Sequence, residues 1–202
     1  MTNEKASCGD NAVATLQANV TIPEGMGVEG FYKVVCRDAA GKLKWEDEFP
    51  NLVVAVGKQL LLDTLLRGSS YTVVGPFLGL TKVSLTPAAT DTMTTLVTTN
   101  AGEFINYTVG GNAVRGTASF AVSTSAGTTP TNVTTSAATS ITYTITGAGG
   151  TVFGCFLVTG TGAVSTQSST AGTLYSEGNF TTSKIVTAGD TVAVTYSTTA
   201  TS

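Results

Sequence analysis

Apolar residues recur at every second position along much of this chain. Ala12, Ala14, Leu16, Ala18, Val20 and Ile22 alternate with polar neighbours up to Pro23, the period of a strand with one covered face. Two further runs, 30–37 and 42–49, flank Asp38-Ala39-Ala40-Gly41, whose residue types suit a hairpin turn. In the second of them Leu43, Trp45 and Phe49 fall on one face, with Lys44, Glu46 and Glu48 on the other. The period then changes. Leu60, Leu61, Leu62, Leu65 and Leu66 form an i, i+1, i+4, i+5 stripe, followed by Gly68 as a C′ cap, so a helix is predicted over about 54–67. A single amphipathic helix is most simply covered by its own sheet, and the leucine stripe is expected to pack there as core.

Strand signals fill the remainder. Residues 77–80 read as a short buried strand, and Thr90-Asp91-Thr92-Met93 as a turn or a single helical turn. Ala118, Phe120 and Val122 alternate, as do Ile141, Tyr143 and Ile145, and then Val192, Val194 and Tyr196. Residues 152–158 form a continuous apolar run of the kind buried on both faces. Glycine clusters at 110–111, 147–150 and 160–162, with Ala188-Gly189-Asp190, punctuate these segments. The Thr/Ser/Ala-rich stretch 123–140 reads as an extended loop or edge. Short strands at this spacing predict an all-β chain: a sandwich or jelly-roll-like domain over 26–202, carrying one helix, preceded by an extended arm over 1–25.

Composition narrows the chemistry. Thr (39), Ser (16) and Gly (23) occupy 78 of 202 positions, and histidine is absent. Ser-His-Asp and Cys-His nucleophile systems and His-ligated metals are thereby excluded. A net charge of −3 and a pI near 4.8 argue against nucleic acid as a partner, which calls for clustered Lys and Arg. Disorder is not expected either, since 42% of the residues are hydrophobic. Cys8, Cys36 and Cys155 are odd in number and widely spaced, which reads as buried or incidental thiols in a reducing compartment. Neither a signal peptide nor a membrane span is expected, because the longest apolar stretch, 52–56, is five residues long.

The charge is unevenly placed. Residues 1–70 hold 16 of the 23 charged side chains, and 71–202 hold the other seven. A free monomer ordinarily covers itself with mixed charges. Two readings are open: a surface of Thr, Ser, Asn and Gly built for exposure, or one covered by copies and partners, where interface centres are depleted in charge. Candidate chemistry is sparse. Glu46 and Glu48 share a strand face, which reads as solvated, and Asp10 and Asp190 stand singly in turns. The glycine clusters lack a phosphate-binding pattern. Asn19, Asn106, Asn132 and Asn179 each precede x-Thr, a match expected by chance in so Thr-rich a chain. Trp45, the one tryptophan, is read as a core anchor or, alternatively, as an interface hot spot. No cofactor, metal or catalytic residue is expected.

The segment Phe49-Pro50-Asn51-Leu52-Val53, then Gly57-Lys58-Gln59-Leu60-Leu61-Leu62-Asp63-Thr64-Leu65-Leu66 and Gly79-Leu80, resembles a recurrent segment of tailed-bacteriophage virion proteins. Ala89-Thr90-Asp91-Thr92-Met93, the run from Gly172 through Gly178, and Ala188-Gly189-Asp190-Thr191 with Thr195-Tyr196 are similar to the same group. The likeness spans about 45–200 and leaves the first 30 residues outside it. It implies a capsid decoration (cement) protein, assembling as a homo-oligomer, a trimer, on the major capsid protein at the capsid exterior, made in the host cytoplasm and without catalysis. The alternative is a tail-fibre or head-fibre module that recognises a host-surface glycan. The arm could add a strand to a neighbouring subunit. Leu16, Val20 and Ile22 of the arm, with Trp45, are the interface candidates, and deletion of residues 1–22 is expected to weaken particle binding while leaving the domain folded.

Overall fold

The computed structural model describes residues 27–67, 74–123, 131–133 and 140–201; the arm, with Leu16, Val20 and Ile22, lies outside them, as do Cys8 and Gly68. The hairpin is formed by β1 (Gly27–Arg37) and β2 (Leu43–Val53). Its turn closes through Asp38, whose Oδ1 accepts from the Ala40 and Lys42 amides, and Gly41 takes the positive φ the turn requires. α1 (Ala55–Leu66) follows, then β3 (Phe77–Thr81), a short π-helical turn (Thr95–Thr99), and the brief strands β4 (Glu103–Phe104), β5 (Tyr107–Thr108), β6 (Gly116–Thr117) and β7 (Thr131–Val133). Longer strands complete the chain: β8 (Ile141–Ile145), β9 (Gly150–Thr159), β10 (Thr173–Val186) and β11 (Thr191–Thr201).

These strands pair antiparallel in the order β4-β3-β9-β10-β2-β1-β11-β8-β5, with β6 on β3 and β7 on β11. The long path folds into two layers that share β2. Its first part, through Gly30↔Asn51 to Cys36↔Trp45, pairs with β1, and its last two residues, Leu52 and Val53, cross over to pair with Glu177 and Ser176 of β10. One sheet is therefore β2-β1-β11-β8-β5 and the other β10-β9-β3-β4, and the chain is an all-β sandwich with one helix, nearly closed on itself. Tyrosines span the gap. The Tyr32 and Ser176 hydroxyls meet at 3.0 Å, and Tyr143 donates to the Leu78 carbonyl at 2.7 Å.

Two apolar clusters hold the layers. Tyr32, Val34, Cys36 and Phe49 meet Leu78, Leu80, Cys155 and Leu157 between the sheets. Val54, Leu85, Met93, Leu96, Phe156, Val158 and Leu174 form a second cluster on the outer face of the β9–β10 sheet, beneath segment 82–101. Strand β9 thus buries Cys155 and Leu157 on one side and Phe156 and Val158 on the other, which is why its run is continuously apolar.

The helix occupies nearly the span its periodicity predicts but presents a different face. Gly57 and Leu60 are buried, and a Cβ at residue 57 would stand 2.4 Å from the Tyr175 carbonyl oxygen. Only glycine permits that approach, so the helix lies on β10 by its Gly57–Leu60 side. Leu62, Leu65 and Leu66 consequently stay exposed, the last two at 75%. The expectation that the leucine stripe is core thus holds for Leu60, which is buried, and for Leu61, which packs half-buried against the main cluster, and is corrected for Leu62, Leu65 and Leu66. Nor do Ala118, Phe120 and Val122 build a strand; pairing ends at Thr117.

Candidate functional site

The seven charged side chains of 71–202 are Lys82, Asp91, Glu103, Arg115, Glu177, Lys184 and Asp190. Glu103, Arg115, Glu177 and Asp190 are buried, Asp91 is half-buried, and Lys184 is largely covered, its side chain 17% exposed. Lys82 is the one exposed charge among the described residues of this region. The low charge of the sequence therefore understates the neutrality of the surface.

Four of the inward charges, Glu103, Arg115, Lys184 and Asp190, are paired. Arg115 donates from Nε and Nη2 to the two Glu103 carboxylate oxygens, at 2.8 and 2.7 Å, and from Nη2 to the Ser169 carbonyl at 2.7 Å. The Ser168 amide donates to Glu103 as well, and the guanidinium stands 5.2 Å from the Phe156 ring centroid. A forked donor satisfied on both prongs is what a buried carboxylate requires, and here it pins the loop before β10. Lys184 donates to Asp47 at 3.0 Å, as do the Thr181 amide and hydroxyl, where β10 departs from its register between Asn179 and Lys184. Burial pushes the Asp47 carboxyl up, but the bonds from Thr181 and Lys184 outweigh it and hold the group below the usual carboxylate range. Asp190 behaves alike. Burial is opposed by the Lys44 ammonium and by the Thr187 amide and hydroxyl, and its carboxyl is lowered. That carboxylate closes the Ala188-Gly189-Asp190 turn, as its residue types predict.

Glu46 and Glu48 face outward, Glu48 at 2.6 Å from Lys33. These two line an open hollow of about 400 Å³ with Lys33 and Asp47, but the Asp47 carboxylate turns inward to Thr181 and Lys184. Trp45 is half-buried on the inner side of β2. Its ring meets Phe180 edge-on at 5.6 Å, and its indole nitrogen donates to the Ile185 carbonyl at 3.4 Å. These contacts fit an anchor of the hairpin. Cys36 and Cys155 are free and buried, and burial pushes the Cys36 thiol up to about 11. The Asn106 amide donates to the Gly149 carbonyl, and that of Asn179 both donates to and accepts from the Leu85 backbone. Among the described residues no cluster of three His, Cys, Asp or Glu could hold a metal ion, and no helix is long and apolar enough to cross a membrane.

What remains is a face. On the outer side of the β1-sheet, Thr144 stands opposite Thr191, Thr142 opposite Ala193, and Ala193 opposite Val35. Thr195 and Ser197 continue this row toward Lys33 and Phe31. The surface grades from ion-paired at β2, with Lys33 and Glu48, to uncharged hydroxyl and methyl groups across β11 and β8. At the end of the sandwich, Pro76, Phe120, Leu157, Tyr175 and Tyr196 line a cavity of about 250 Å³. Tyr196 there is pushed up to about 12 by burial and accepts from the Asn51 amide. Comparison of the chain with protein-family models, curated proteins and solved structures finds no match.

Proposed function

We propose that the chain is a capsid decoration (cement) protein of a tailed bacteriophage, assembling as a homo-oligomer, a trimer, on the major capsid protein lattice, with no catalysis of its own. One observation carries this reading beyond the sequence resemblance: the charged residues of 71–202 are turned inward, leaving Lys82 as the exposed charge of the β body. Charge depletion of this extent is the mark of interface centres, whereas a freely diffusing domain keeps mixed charges outside. The Thr142, Thr144, Thr191, Ala193 and Thr195 face offers a broad sheet surface on which a neighbouring subunit can lie without desolvating a charge.

Replacement of both Thr144 and Thr195 by Lys tests the reading on that face. The variant is expected to keep its thermal midpoint within a few degrees and to lose binding to particles stripped of the protein. Full binding by the double variant would overturn the assignment of the face. Loss of host adsorption, with shell stability unchanged, would favour the fibre module in its place.

A further inference from the structure

Glu177 sits on the outer face of the β9–β10 sheet, 1% exposed, and its Oε1 has no hydrogen-bond donor among the described residues. The turn that carries Asp91 is brought beside it by the backbone, the Val54 amide donating to the Tyr175 carbonyl of β10 and the Ala55 amide to the Ala89 carbonyl, and Asp91 is the one charged group that acts on its carboxyl. The residues opposite it in register carry no charge: Phe156 from β9 and Leu52 from β2. The first turn of α1, Ala55, Val56 and Gly57, is likewise uncharged. Asp91 supplies the charge that acts on it. Two carboxyl oxygens cannot approach within a dry site unless a proton or a cation lies between them. Arg115, which lies over the Phe156 ring, is committed to both oxygens of Glu103, so the pair takes a proton.

The contact joins two layers. Glu177 belongs to the sheet, and Asp91 to segment 82–101, which roofs the second apolar cluster through Leu85, Met93 and Leu96. That roof is otherwise tied by few polar contacts. The Asn179 amide clamps the Leu85 backbone at 3.1 and 2.7 Å, and the Ala55 amide donates to the Ala89 carbonyl at 2.8 Å. Asp91 itself organises its turn, accepting from the Ala88 amide at 2.7 Å. We propose that Glu177 and Asp91 share one proton as a latch between the β10 sheet and segment 82–101, and that removal of this proton loosens the segment. With both groups charged, the buried Glu177 and the half-buried Asp91 would repel each other across the layer boundary, so the roof lifts in alkali and reseats on reprotonation. The latch is independent of what the neutral face binds.

Burial and the Asp91 carboxylate together raise Glu177 to about 8, which places the transition near the alkaline edge of neutrality. The test is an NMR titration of the Glu177 side-chain carboxyl in the full chain. Amide protection at Leu85 and Ala88 is followed in parallel at pH 6 and pH 9, corrected for intrinsic exchange. Wild type should titrate well above the ordinary glutamate range and lose protection by roughly tenfold over that interval. Glu177→Gln should keep its protection at pH 9, and Asp91→Asn should bring the Glu177 titration down. A Glu177 carboxyl that titrates in the ordinary range, or equal loss of protection in wild type and Glu177→Gln, would overturn the latch. So would retention of protection with Glu177 ionised on addition of millimolar calcium chloride, which would make the pair a cation site.

Discussion

Glu103 and Arg115 illustrate how single residues hold this fold. Both are buried, and each is the other's charge partner. Removing one leaves the other uncompensated in a dry site, at a cost of about 3–5 kcal/mol. Glu103→Gln and Arg115→Met should each lower the denaturation midpoint correspondingly, with the loop at Ser168–Ser169 losing its anchors; a change below about 1 kcal/mol in either would show that water reaches the pair. The carboxyls also set the pH dependence of stability. Glu177 has a folded value of about 8 against an ordinary 4.5, so the fold favours its protonated form. Its contribution is fully present below about pH 4.5 and is lost as the pH rises toward 8. Asp47 and Asp190 are lowered, and theirs is lost in the opposite direction, as pH falls below the carboxylate range. Urea unfolding across pH 4–9 should therefore show stability declining on both sides of a maximum at mildly acidic pH, and Glu177→Gln should flatten the alkaline limb alone. An unchanged alkaline limb in that variant would remove Glu177 as its cause.

Among the elements, α1 shows where patterning suffices and where it stops. Its bounds follow from leucine spacing, but the side it buries is chosen by Gly57, which lets the helix axis approach the Tyr175 carbonyl. A glycine inside a helical run was the signal for the docking face, and counting apolar residues pointed elsewhere. Leu62, Leu65 and Leu66 are then free of the core, so Leu62→Glu with Leu65→Glu should change the stability of the isolated chain by no more than about 0.5 kcal/mol. A loss of several kcal/mol on denaturant titration would mean that the chain itself covers this ridge. The hairpin, β3, β8, β9 and β11 were legible because each keeps a clean period of two or a buried run. Strand β10 was not. Its residues Ser176-Glu177-Gly178-Asn179 and Thr181-Thr182-Ser183-Lys184 are polar, and register shifts at Leu174/Ser176 and Asn179/Lys184 break its alternation. At the second shift Phe180 packs against Phe49, and Asp47 receives the Thr181 amide in place of a strand neighbour.

At the scale of the molecule, a boundary near residue 70 was visible in the charge distribution, but its meaning was not. Seven charges over 132 positions suggested a thinly charged surface. Pairing across the fold turns four of them inward, Glu103 with Arg115, Lys184 with Asp47 and Asp190 with Lys44, and no local pattern announces such partners; Glu177 and Asp91 are covered without a cation. In a Thr-rich sheet protein, an isolated charge is thus a better candidate for a buried tie than for a surface group. The remaining neutral face and the exposed leucines of α1 are what the proposed role in contact rests on. Cryo-electron microscopy of the intact particle tests that claim most directly. Density for this fold should repeat with the shell lattice, the Thr144–Thr195 face seated on a neighbouring subunit. A few copies confined to the tail or a single vertex, with that face in solvent, would contradict it.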